Sequence, residues 1–227
     1  MPAADAGCGP AAAPSCITQA VNDEGGVTMK VLAINGSSRK KGNTAMLINT
    51  VFAELQKEGI ETEQVQLGGK KLHGCTACLK CFENQNKRCA IDKDILNVMV
   101  TKMVEADGII IGSPTYFANV TSEVKALIDR AGMVAIANGY MLKRKVGAAV
   151  VAVRRAGATA AFDAINKLYF INQVIVPGSA YWNLALGLEE QDVQNDEEGL
   201  NTMKILGENM AWLLKKINAY NYADAVE

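Results

Sequence analysis

Lys30-Val-Leu-Ala-Ile-Asn-Gly-Ser-Ser-Arg-Lys-Lys-Gly-Asn-Thr44 decides the fold. Val31 to Ile34 form an apolar run without polar alternation, which suits a strand buried on both faces. Asn35-Gly36 ends that run. The spacing then predicts a helix over 43–58, with Leu47, Ile48, Val51, Phe52 and Leu55 on one stripe and Gly59 as its stop.

The same alternation continues along the chain. Residues 62–67 read as a weaker, more polar strand near a sheet edge. A helix is expected from about Asp92 to Glu105, then a fully buried strand at Gly108-Ile-Ile-Ile111. Residues 121–131 read as a helix with Val124, Leu127, Ile128 and Ala131 on one face. An apolar strand at 146–153, a helix at 158–170, a strand at 173–176 and a last helix at about 197–217 complete the series. The acidic segment Glu189 to Glu198 reads as a solvated entry to that last helix. About five strand–helix alternations imply an α/β fold, one parallel sheet with helices on both faces. Right-handed crossovers leave a flavodoxin-like, doubly wound, five-stranded sheet of order 2-1-3-4-5 as the expected topology. Ligands would then sit at the carboxyl ends of the strands, where the first and third diverge.

The chain has 227 residues, 49% of them hydrophobic, enough for one sizeable core. One domain is expected over 29–220, with the cysteine loop 75–89 inside it. Residues 1–28 are rich in Ala, Gly and Pro and read as a disordered extension. They lack the basic start and apolar centre of an export signal. Net charge is −1 and aromatics are 6%, so no nucleic acid or membrane partner is expected. No apolar stretch approaches the ~20 residues that span a bilayer. Four of the six cysteines crowd into one loop, which favours metal or redox chemistry in a cytoplasmic protein over disulfides. Cys8 and Cys16 receive no role.

The loop Gly36 to Thr44 has the makings of a phosphate cradle. Ser37, Ser38 and Thr44 offer hydroxyls, Arg39 offers a fork of donors, and Asn43 or Thr44 can cap the helix whose positive end faces the same spot. An ordinary polar connection is the other reading. The loop lacks the Gly-Lys-Ser/Thr ending of nucleotide P-loops and the Gly-x-Gly-x-x-Gly of dinucleotide sites. After the third strand, Gly112-Ser-Pro-Thr-Tyr-Phe-Ala-Asn119 lies at the expected switch point. Tyr116 and Phe117 could border a flat ring there, or pack on the sheet edge.

Cys75, Cys78 and Cys81 are each two residues apart, and Cys89 follows after seven more. Three such spacings let one short loop wrap three corners of an iron–sulfide cube, with Cys89 closing the fourth. Zinc usually takes two separated knuckles. Free or redox-active thiols are the remaining reading. From Gly69 to Cys89, Lys70, Lys71, Lys80, Lys87 and Arg88 stand against one acid, Glu83. These cations would favour a reduced cluster and steer an acidic carrier. The lone histidine, His73, reads as a loop residue. The cysteine loop follows the second strand, so it is expected at the same sheet end as the cradle.

Gly36-Ser-Ser-Arg39, Gly42-Asn-Thr44 and Ser113-Pro-Thr-Tyr-Phe-Ala-Asn119 resemble the NAD(P)H-dependent FMN reductases of the flavodoxin-like superfamily. The cysteine loop, Arg154-Arg-Ala-Gly157 and Gly178-Ser-Ala-Tyr-Trp-Asn183 resemble that superfamily's iron–sulfur flavoprotein branch. The resemblance runs from Met29 to about Ile217. It implies that Ser37, Arg39, Asn43 and Thr44 hold an FMN phosphate. It implies that Pro114, Thr115, Tyr116, Phe117 and Asn119 lie along the isoalloxazine ring. Ala156 and Gly157 would meet the pyrimidine edge through backbone groups. It further implies a 4Fe-4S cluster on Cys75, Cys78, Cys81 and Cys89, and a homo-oligomer, dimer or tetramer, with the cluster near a subunit boundary. Trp182 and Trp212 are candidates for that contact, with core packing the other reading.

The function implied is an FMN-dependent oxidoreductase, NAD(P)H- or ferredoxin-linked, coupling two-electron to one-electron carriers. Two alternatives stand beside it. One is an NAD(P)H-dependent FMN or quinone reductase without a cluster. The other is a non-enzymatic, flavodoxin-like electron carrier.

Overall fold

The computed structural model of the protein describes residues 28–224. The expected extension, with Cys8 and Cys16, lies outside the described residues except for Thr28. Strand β1 (Lys30–Asn35) leads to helix α1 (Asn43–Lys57), then to β2 (Glu61–Gln66). A short helix α2 (Lys80–Asn84) and helix α3 (Leu96–Glu105) precede β3 (Gly108–Pro114). Helix α4 (Ser122–Ala137), β4 (Val146–Val153), α5 (Ala158–Ile171), β5 (Leu184–Leu186) and α6 (Glu197–Asp224) follow. The sheet is five-stranded, in the order β2-β1-β3-β4-β5, and all its pairings are parallel. This is the flavodoxin-like topology the sequence predicts. No described helix is long and apolar enough to cross a membrane.

Two apolar layers hold the sheet, and strand periodicity assigns each residue to one of them. Val31 and Ala33 of β1, Ile110 of β3 and Ala148 and Val150 of β4 pack under α1 and α6. Leu32, Ile34, Ile109, Ile111, Ala149 and Val151 pack under α3, α4 and α5. Both faces are covered, so these strands have no polar positions to alternate with. Edge strand β2 is polar because its outer side is wet, and Lys30 and Lys102 both pair with its Glu63.

Three expectations need correction. The strand expected over 173–176 is a single parallel bridge, Ile175 to Val146, at the start of β4. The chain then leaves the sheet and returns as β5, which pairs with Val151 to Val153 at the other end of β4. Pro177, with no N–H to give a ladder, sits where the first pairing lapses. Helix α3 starts at Leu96 rather than near Asp92, because the Asp94 carboxylate takes the Leu96 N–H at 3.1 Å. Helix α4 continues six residues past Ala131, through Gly132, to Ala137. Gly132 is a contact point: a Cβ there would stand 3.0 Å from Leu168 of α5.

Candidate functional site

The first site is a cleft of about 240 Å³ at the carboxyl ends of β1, β3, β4 and β5. Ser37, Arg39, Asn43, Thr44, Pro114, Thr115 and Tyr116, all candidates from the sequence, are brought together in its wall. Arg154, from the Arg154 to Gly157 segment, completes the wall with Ala152, Gly187 and Leu188, which the sequence does not single out. Gly187 and Leu188 escaped notice because β5, which delivers them, is only three residues long.

The cleft is built around the N-terminus of α1. Gly42 occupies the cap position and no side chain satisfies the first-turn N–H groups. Such an end attracts an anion. Thr44 is buried, and its hydroxyl has no hydrogen-bond partner; neither has that of Thr115. An unpartnered buried hydroxyl in a cleft wall awaits a polar ligand. Asn43 points elsewhere: its Nδ2 donates to Glu189 O at 2.8 Å and its Oδ1 accepts from Val193 N. Its side chain straps the loop after β5 over the cradle. Arg39 Nη1 reaches Leu188 O at 3.4 Å in the same loop.

The aromatic loop is a tight turn. Tyr116 and Asn119 exchange backbone hydrogen bonds of 2.9 and 3.0 Å, with Phe117 and Ala118 left-handed at the tip. Phe117 is fully exposed and Tyr116 half exposed. Phe117, Asn119, Ala156 and Gly157, also expected at the ring, are not in the cleft wall. Gly157 has φ +86°, and a Cβ there would meet Ala118 at 2.7 Å, so the turn and the start of α5 touch.

The second site is the cysteine loop. Cys75, Cys78, Cys81 and Cys89 are free thiols bordering one apolar hollow with Ile91, Arg130, Met133 and Val134. Ala77 and Leu79, either side of Cys78, have φ of +51° and +56°. Left-handed backbone costs a non-glycine residue about 1–2 kcal/mol. Here it curls the chain so that all four residues border one hollow, Cys81 and Cys89 partly buried and Cys75 and Cys78 exposed at its mouth. Among the described residues no three His, Cys, Asp or Glu groups converge to hold a single ion. As a donor set, four cysteines bordering one hollow are soft and suit iron–sulfide ligation. Lys80 N–H and Thr76 hydrogen bonds pull the Cys78 thiol below its usual pKa, while burial pushes Cys81 up.

Two helices hold Cys89. Asn97 of α3 takes its N–H at 2.8 Å and donates to its C=O at 3.0 Å. Arg130 of α4 donates to its Sγ at 3.4 Å. Arg130 also bonds Asp94 at 2.5 Å, His73 O at 3.0 Å and Ile91 O at 2.7 Å. Burial works to raise the Asp94 pKa, but the Arg130 hydrogen bond and two backbone N–H groups outweigh it and hold the carboxyl below its usual range. His73 serves through its backbone, as a loop residue. Arg130 has a sequence signal that passed unread: it is a cation one residue before Ala131 on the core-facing side of a helix.

The cysteine loop leaves the same sheet end as the cleft, but its thiols do not stay there. They pack on α4 at Arg130 to Val134, and Lys87 N–H bonds Asn138 at that helix's C-terminal end. At 1.5 Å per residue, the hollow lies about 13–20 Å along α4 from the cap at Thr121. The expectation of one shared rim is therefore corrected. Lys70, Lys71, Lys80, Lys87 and Arg88, in and beside the cysteine loop, are all exposed.

The profile of the NADPH-dependent FMN reductase family matches residues 29–189. An iron-sulfur flavoprotein of Methanocaldococcus jannaschii is 38% identical over 196 residues, 83% of this chain and 99% of that protein. An iron-sulfur flavoprotein of Archaeoglobus fulgidus is 36% identical over 194 residues, 80% of this chain and 94% of its own. Among solved structures, RosB superposes with a TM-score of 0.63 at 18% identity, covering 88% of this chain and 86% of RosB. A WrbA-like flavodoxin of Agrobacterium tumefaciens has a TM-score of 0.58 at 13% identity, covering 83% and 99%. These two likenesses establish the fold.

Proposed function

The chain belongs to the NADPH-dependent FMN reductase family and its iron-sulfur flavoprotein branch, and from that premise we propose a two-cofactor electron-transfer role. The protein is a flavin oxidoreductase that binds FMN in the cleft and a 4Fe-4S cluster in the cysteine hollow. The observation that carries the reading is that four free cysteines border one hollow, beside a buried arginine, in a chain that also has an anion-ready helix end. FMN, when bound, exchanges electrons singly or in pairs, and the cluster exchanges them singly. The protein's part is to hold, orient and space them. Ser37, Thr44 and the α1 N-terminus would hold the phosphate, with Arg39 adding charge. Pro114 to Tyr116 would flank the ring. NAD(P)H or a ferredoxin is the proposed redox partner, and the exposed cations in and beside the cysteine loop suit an acidic carrier.

The offset of the hollow along α4 favours transfer between copies in a homo-oligomer, in which one subunit's hollow approaches another's cleft. Trp182 and Trp212, both more than half exposed, are not core residues and remain candidates for that contact. The test is EPR of anaerobically prepared, dithionite-reduced protein, alongside Cys78→Ala. The parent should show a reduced-cluster signal. The variant should lose it and keep FMN. Iron retained in full by the variant would refute the ligand set. A flavoprotein free of iron that oxidises NAD(P)H would be the cluster-free reductase instead.

A further inference from the structure

The Arg130 side chain is fully buried, and that of its counter-ion Asp94 is 3% exposed. A guanidinium is among the most expensive groups to take out of water, and it stays charged there. Buried polar groups are as a rule hydrogen-bonded within the protein. Asp94, His73 O and Ile91 O take some of those of Arg130. One faces the Cys89 sulfur, and the buried Nε–H has no partner. The guanidinium lines the hollow that all four thiols border.

We infer that Arg130 is the positioning residue of the cysteine site, holding Cys89 and setting the potential at which the cluster takes up its electron. This rests on the cluster reading above. Four thiolates make the cluster an anion, and its charge grows by one when an electron enters. Arg130 stays protonated throughout, and no bond forms or breaks. A fixed cation in a water-poor hollow favours the more negative, reduced form. Asp94 opposes it and limits the effect. The two residues therefore act with opposite sign on the same equilibrium, whereas a shared packing role would give them the same sign.

The test is an EPR-monitored potentiometric titration of the anaerobic holoprotein with dithionite, with the FMN midpoint as internal control. Arg130→Gln is expected to lower the ratio of reduced to oxidised cluster at fixed potential by about tenfold, a 59 mV shift for one electron. Arg130→Lys should recover part of it, and Asp94→Asn should shift the ratio upward. The FMN midpoint should not move. An unmoved cluster midpoint in Arg130→Gln, or the same direction of shift in Arg130→Gln and Asp94→Asn, would overturn the inference. Should these variants fail to retain iron, protein with Arg88→Lys and 15N-labelled arginine decides. Pulsed EPR of its reduced cluster should show a 15N coupling from Arg130, and its absence would overturn the assignment. Iron-free parent protein would defeat the cluster reading itself, a result distinct from an iron-loaded parent whose midpoint ignores Arg130.

Discussion

Thr44→Val removes one oxygen atom and should move two quantities in opposite directions. The hydroxyl is buried at the N-terminal end of α1 without a partner. In the FMN-free protein it is an unsatisfied polar group, which costs about 1–3 kcal/mol. Valine keeps the shape, including the methyl that packs toward Gly112. The FMN-free variant should therefore unfold at higher urea concentration than the parent, with an unchanged m-value. With FMN bound, the hydroxyl would donate to a charged phosphate oxygen. Such hydrogen bonds contribute about 1.5–3 kcal/mol, so losing one should weaken FMN binding about ten- to a hundredfold. Flavin-fluorescence titration measures the second quantity and urea unfolding the first. Unchanged FMN affinity would place the phosphate elsewhere. A destabilised FMN-free variant would mean that Thr44 has a partner within the protein.

Other perturbations probe the frame around the two sites. Asn97→Ala orphans the Cys89 N–H and C=O, each worth about 1–3 kcal/mol when buried; it should lower the urea midpoint and speed hydrogen exchange at Cys89, and unchanged exchange would contradict the clamp. Gly157→Ala puts a side chain at φ +86° against Ala118, so FMN should bind more weakly while inorganic phosphate binds as before; equal loss of both would relocate the effect to the cradle. The Asp94 carboxyl is held below its usual pKa. Its stabilising contribution is thus present above the ordinary carboxylate value of about 3.9 and is lost as pH falls through the depressed one. Asp94→Asn should flatten that acid limb in cluster-free protein, as read by melting temperature against pH, and parallel limbs would contradict the pairing.

The parts of the fold that were legible are those where burial leaves only one reading. Val31 to Ile34, Ile109 to Ile111 and Val146 to Val153 are covered on both faces, so their composition is unbroken and apolar. What escaped depends on long-range contacts. β5 has three residues, too few for periodicity to register, while Val174-Ile175-Val176 carries strand-forming side chains but makes one bridge. The helix read as ending at Ala131 runs on through Gly132, which marks where α4 and α5 approach closely. In the candidate site, the cradle and the thiols were legible because their chemistry is local in sequence. Asp94, Asn97 and Arg130 were not, because their roles exist only once α3 and α4 close on the cysteine loop. The position of the hollow along α4 was also hidden, since loop spacing says nothing of the direction a loop takes after leaving the sheet.

The central claim is that one chain carries both groups. Its most direct test is the content of iron, acid-labile sulfide and FMN in protein purified without oxygen from cells that make both cofactors. The expected result is about four iron and about four sulfide for each FMN bound. FMN accompanied by no iron, or by zinc in place of iron and sulfide, would contradict it.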